Sequence, residues 1–137
     1  MRQQLCDALV ARSIKPDMVF LTGDLGFMAL EPLRESLGER FINAGVAEQN
    51  MVSVAAALAR EGMEPWVYSI APFCYARPFE QIRNDITFHK LPVKLIGNGG
   101  GVRVWCYGPN ASCDRRLRHP FDLVRHVRFC AGIRSGY

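Results

Sequence analysis

The stretch Asn43-Ala44-Gly45-Val46-Ala47-Glu48-Gln49-Asn50-Met51 sets a single acid where chemistry could be done. A short apolar approach, Arg40-Phe41-Ile42, runs into a small-residue turn, and Glu48 then stands at the head of an Ala-rich helix from Asn50 to Arg60. Backbone N–H groups at a helix start lack partners and favour a carboxylate, so Glu48 read alone is a helix-start acid. Other candidates are fewer than the composition suggests. The five cysteines (Cys6, Cys74, Cys106, Cys113, Cys130) form no C-x-x-C pair, which speaks against both a zinc site and a disulfide framework. Gly99-Gly100-Gly101 lacks the Lys-Ser/Thr of a phosphate loop and reads better as a tight turn.

These residues need elements to position them. Gln3 to Ser13 has Leu5, Ala8, Leu9 and Arg12 at helical spacing, and Lys15-Pro16-Asp17 ends it. Met18 to Thr22 is a continuous apolar run, as in a strand covered on both faces. Glu31 to Leu37 is a short helix with Pro32 in its first turn and Gly38 behind it. Phe41-Ile42 is a short strand. In the Asn50–Arg60 helix, Val52, Ala55, Ala56 and Ala59 make a narrow face suited to close packing. Glu64 to Ser69 reads as a strand, Ile70 to Tyr75 as a loop, Arg77 to His89 as a helix and Val93 to Ile96 as a strand. Strands alternating with helices predict an α/β fold, a parallel sheet flanked by helices. In such sheets ligands bind beyond the carboxyl ends of the strands. Asp24 in Gly23-Asp24-Leu25-Gly26, the turn before Glu48, Phe73 and Gly97 all fall at that edge.

The chain has 137 residues, 49% hydrophobic and 22% charged, as expected of one globular domain. No apolar run reaches the ~20 residues of a membrane span, and the start lacks a signal-like stretch, so the expectation is a cytoplasmic protein with no membrane contact. The net charge of +4 is unevenly spread. Residues 1–101 carry 10 Lys and Arg against 11 Asp and Glu, whereas residues 102–137 carry 7 Arg against 2 Asp. A pI near 9.0 and Arg115-Arg116-Leu117-Arg118 would suit nucleic acid. That basicity is confined to a tail with no supporting periodicity, which argues against nucleic-acid binding.

Four stretches in order carry a resemblance: Val46-Ala47-Glu48-Gln49-Asn50; Tyr68-Ser69-Ile70-Ala71-Pro72-Phe73; Arg77-Pro78-Phe79-Glu80-Gln81-Ile82-Arg83-Asn84-Asp85; and Leu91-Pro92-Val93-Lys94. Together they resemble the pyrimidine-binding domain of transketolase-like thiamine diphosphate enzymes, in particular the C-terminal subunit of split bacterial transketolases. The resemblance covers residues 1–101. It implies the thiamine-diphosphate-binding fold and a transferase moving a two-carbon ketol unit between sugar phosphates. It implies that Glu48 hydrogen-bonds N1′ of the aminopyrimidine and favours its imino form, so that the ring's exocyclic nitrogen can deprotonate the thiazolium. Such a role needs an isolated acid, and no other acid follows Glu48 for twelve residues. Phe73 matches the aromatic that stacks on the pyrimidine, or else is a core residue. Asp24 and Leu25 match a loop that approaches the cofactor, or Asp24 caps its own loop. Arg77 either contacts substrate or pairs with Glu80. Gln81 and Asn84 read as structural.

The resemblance also implies what lies elsewhere. Gly23-Asp24-Leu25-Gly26 is not the Gly-Asp-Gly motif that, with a later Asn, holds Mg²⁺ and the diphosphate. No metal ligands are therefore expected here, and a diphosphate-binding N-terminal subunit is the expected partner, in a homo- or hetero-oligomer arranged around a dimer. Sister readings are a 1-deoxyxylulose-5-phosphate synthase or a dehydrogenase E1 β-chain; a non-catalytic scaffold is a further one. Residues 102–137 read as an irregular, out-of-family basic tail. Synonymous codons for Val102 to Val124, read one base out of frame, yield a string with the family's Gly-x-Thr-His pattern. The expectation is a truncated chain with a frameshift near Gly101.

Overall fold

The computed structural model describes residues 2–99 and 128–131 of the chain. In order these form α1 (Arg2–Arg12), β1 (Met18–Thr22), α2 (Glu31–Leu37), β2 (Phe41–Asn43), α3 (Glu48–Arg60), β3 (Glu64–Ile70) and α4 (Ala71–Tyr75). Then come α5 (Phe79–Gln81), which runs on as a π-helical segment Ile82–Thr87, β4 (Lys94–Asn98) and β5 (Arg128–Ala131). The strands make one sheet in the order β2-β1-β3-β4-β5, every neighbouring pair parallel. The expected α/β architecture is thus present.

The five residues of β1 are all buried, which explains their unbroken apolar character. Alternation along each strand feeds two cores, because successive side chains point to opposite faces. Met18 and Phe20 of β1, Tyr68 of β3 and Ile96 of β4 meet Cys6 and Leu9 of α1 and Leu33 and Leu37 of α2. Val19, Leu21, Val67 and Leu95 face the other way, onto Met51, Val52, Ala55, Ala56 and Ala59 of α3 and onto Ile82 and Ile86. The small face of α3 is the one turned to the sheet.

Several boundaries and faces differ from the sequence reading. The buried face of α1 runs through Cys6, Leu9 and Ser13, while Ala8 is exposed. Ser13 turns inward because its hydroxyl meets both the Val10 carbonyl and Ser36. The loop read at Ile70–Tyr75 contains α4, a short helix begun by Pro72 in its first turn. The single helix read at Arg77–His89 is instead a short α-turn that widens into a π-segment. That widening keeps Ile82 and Ile86 buried while Asp85 reaches the Ser53 hydroxyl of α3 at 2.7 Å. In the tail read as irregular, Arg128–Ala131 forms β5, completing a ladder on the free edge of β4. Without a sustained period of its own, this strand is legible only through its partner. The rest of the reading for residues 102–137 lies outside the described residues. Among those residues, no helix is long and apolar enough to cross a membrane.

At the amino ends of β3 and β4, Glu64 gathers three partners. Arg12 donates to both carboxylate oxygens at 2.8 Å, Trp66 Nε1 donates at 3.0 Å, and Lys94 Nζ lies 3.1 Å away. The Arg12 hydrogen bonds are the largest cause of a carboxyl pulled from 4.5 to about 2, with Lys94 and Trp66 adding to it against burial. The folded value lies below the unfolded one, so this contribution is complete above about pH 4.5 and is lost as pH falls toward 2. Glu64→Gln is expected to cost about 2 kcal/mol at pH 7, allowing for the solvent that reaches Arg12. The gap between wild type and variant should close in thermal unfolding below pH 3.

Candidate functional site

Between β1 and β3 the chain order along the sheet reverses, since β2 lies on one side and β4 on the other. The connections leaving these two strands run to opposite faces, the arrangement in which parallel sheets take ligands at the strands' carboxyl ends. The β1 ladder is extended there by two loop bonds: Gly23 N–H donates to the Tyr68 carbonyl at 3.1 Å and Ala44 N–H to the Thr22 carbonyl at 2.8 Å. Asn43 then ties two loops together. Its side-chain oxygen accepts from Gly45 N–H at 2.9 Å, and its amide donates to Asp24 Oδ1 at 3.2 Å. Gly45 adopts a φ of 68°, the left-handed conformation that this turn requires.

The turn delivers Glu48 as the first residue of α3, with its side chain only 5% exposed. Its carboxylate has two side-chain donors. Ser69, buried at the end of β3, reaches Oε1 at 3.4 Å, and Arg77 Nη1 reaches Oε2 at 2.9 Å. The helix start adds a favourable field for the negative charge. Arg77 follows α4, whose Phe73 is half-buried, and its guanidinium carbon lies 3.5 Å from the Phe73 ring centroid. A flat N–H donor therefore bridges an aromatic face and a buried carboxylate. Stacked guanidinium–aromatic contacts are worth about 0.5–2 kcal/mol. An ion pair whose cation is 42% exposed contributes about 1 kcal/mol.

Of the residues singled out in the sequence, Glu48, Phe73 and Arg77 come together. Arg77 pairs with Glu48 and not with Glu80, which is taken up by Arg83 at 2.6 Å and Asn84 at 2.9 Å. The helical spacing of Glu80 to Arg83 and Asn84 satisfies it locally. Asp24 is exposed and bound to Asn43, as a loop-tying residue; Leu25 beside it is half-buried against the α1–α2 core. Sequence reasoning passed over Ser69 and Asn43. A serine closing an otherwise buried strand was the available signal for the first, and an Asn two residues before a left-handed Gly for the second. Cys74 is buried and its thiol is pushed up to about 12, chiefly by that burial. Since the thiolate is the nucleophile, it is inert at neutral pH.

Gly97 keeps α4 in place. A Cβ there would come within 3.0 Å of Ala71 Cα and 3.1 Å of its Cβ, so any larger residue must push away the helix that carries Phe73. Gly97→Val is expected to lower the urea unfolding free energy by about 1–3 kcal/mol. An unchanged midpoint would mean that α4 is free to move.

Comparison with known proteins gives consistent matches. The family described as transketolase, pyrimidine binding domain, matches residues 9–131, a span that continues past Gly101. One of the subunits of an apulose-4-phosphate transketolase from Phocaeicola vulgatus is 32% identical over 126 residues, 90% of this chain and 39% of that protein. A 1-deoxy-D-xylulose-5-phosphate synthase of Mycobacterium sp. (strain KMS) is 37% identical over 87 residues, 63% of this chain and 14% of the synthase. A solved structure described as split gene transketolase, inactive beta4 tetramer, aligns with a TM-score of 0.62 at 38% identity, covering 70% of this chain and 33% of that one. The chain spans less than half the length of these relatives.

Proposed function

Because the chain belongs to the transketolase pyrimidine-binding domain family, we propose that it supplies the aminopyrimidine half of a thiamine diphosphate site, with Glu48 as its proton-handling acid. The observation that carries this reading is the buried Glu48 carboxylate set across from the face of Phe73, a spacing that a planar N–H donor already spans. An aminopyrimidine carrying a proton on its N1′ nitrogen, as in its imino form, is such a donor, so the residues present suit the group. When bound, thiamine diphosphate would supply a thiazolium carbon able to carry a two-carbon unit once it has lost its proton.

The chain's own contributions follow from its geometry. Glu48 holds a proton shared with the ring nitrogen at its Oε2 side. Ser69 donates to the other oxygen at 3.4 Å, which favours one orientation of the carboxylate. Phe73 offers the stacking face. Asp24, through Asn43, steadies the turn that delivers Glu48, and Leu25 anchors the same loop on the α1–α2 core. The partly exposed Arg77 is a cation within reach of an anionic substrate.

Mg²⁺ and the diphosphate would be held by a partner subunit that carries the other half of the site. The relatives described as a transketolase subunit and as a split gene transketolase support a two-subunit arrangement. Two-carbon ketol transfer between sugar phosphates is the favoured reaction. The synthase relative is no less identical, but it aligns over a smaller part of this chain, 63% against 90%, and this favours the transketolase-type subunit over a synthase.

Co-expression with a diphosphate-binding N-terminal subunit should yield a complex that binds thiamine diphosphate and turns over ketose phosphates. Glu48→Gln is expected to retain most of the binding and to lose turnover on the order of a hundredfold or more. Equal turnover in wild type and variant would remove the proton role from Glu48.

A further inference from the structure

Resting on that reading, we propose that Arg77 is a built-in occupant of the pyrimidine seat, and that the cofactor must displace it to load. The guanidinium makes the two contacts the ring would need: it lies 3.5 Å from the centre of the Phe73 ring, and its Nη1 donates to Glu48 Oε2 at 2.9 Å. A planar group stacked on that face of Phe73 while bonded to that oxygen leaves no place for a second. Arg77 and an aminopyrimidine therefore compete for one site, and the apparent affinity for the ring is lowered by the fraction of chains in which Arg77 is seated.

The exchange needs only the side chain to move. Arg77 precedes a buried Pro78, which restricts the backbone before it. Its carbonyl is held by Gln49 Nε2 at 3.3 Å, while its side chain is 42% exposed. Rotation into solvent breaks one ion pair and one stack and leaves the chain path unchanged. It also alters what the site offers next. Seated, the cation is matched to Glu48; displaced, it stands unpaired at the edge of the site, available to an anionic substrate. Loading thus uncovers the substrate's anchor, and cofactor binds before substrate.

The test uses ligand-observed NMR on the full chain, with the neutral hydroxymethyl aminopyrimidine that corresponds to the ring half of thiamine as probe. The probe carries no charge of its own and meets Glu48 by sharing a proton with the carboxyl. Arg77→Ala is expected to bind it about five- to tenfold more tightly than wild type, whereas in a Glu48→Gln background, where the ion pair that seats Arg77 is gone, the same change is expected to bring little further gain. An Arg77→Ala affinity equal to or below that of wild type would overturn the gate while leaving Glu48 and Phe73 as the ring's receptors. No binding by any variant would overturn the receptor reading and the gate with it. Arg77→Ala and Phe73→Leu, alone and combined, give a second reading from urea unfolding. Non-additive effects are expected, and strictly additive ones would mean that the stacked arrangement is not populated.

Discussion

A carboxylate closed off from water has to be given hydrogen-bond donors, and the arrangement around Glu48 is organised by that requirement. Leaving such a group unpaired costs several kcal/mol. Ser69 and Arg77 meet it from two different segments, the end of β3 and the turn after α4, while the start of α3 supplies the field. The acid is joined to its hydroxyl and its cation, 21 and 29 residues further on, only after both stretches have folded onto one sheet edge. A buried acid is weak evidence for stability, since apolar residues would pack the same space at lower cost. Its place at the reversal point of a parallel sheet suits the proposed ligand chemistry.

The rest of the fold holds that edge still. The all-buried β1 fixes the level of the sheet, and small side chains on α3 let the helix approach closely enough to bring Glu48 over the strand ends. Asn43 locks the turn before Glu48 to the loop after β1. Gly97, by having no side chain, allows α4 to sit against β4 and hold Phe73 opposite the acid. At the far edge of the sheet the Arg12–Glu64–Lys94 cluster fastens α1 to β3 and β4. That division, structural charge at the amino ends and a ligand-facing charge at the carboxyl ends, suits the proposed half-site.

Much of this was legible in the sequence because it rests on local patterns. The apolar runs at Met18–Thr22 and Val93–Ile96 mark buried parallel strands, and the acid heading an Ala-rich helix marks the candidate site. The π-widening at Ile82–Thr87 was not legible, because it arises from fitting Ile82 and Ile86 against α3 and leaves the local spacing helical. Nor was the partner of Arg77. From spacing alone the choice lay between a substrate and Glu80 on the next turn, and only the packing of α4 against β4 brings Arg77 to Glu48. Strand β5 was hidden for a similar reason, since its pairing depends on the edge that β4 presents.

On the proposed reading, Glu48 governs a proton on a ring held against Phe73. The measurement that tests it most directly is hydrogen–deuterium exchange at the thiazolium carbon of thiamine diphosphate, followed by quenched-flow NMR in a complex with a diphosphate-binding subunit. Exchange is expected to be fast with the wild-type chain and slower by on the order of a hundredfold or more with Glu48→Ala. Equal exchange in the two complexes would contradict the account.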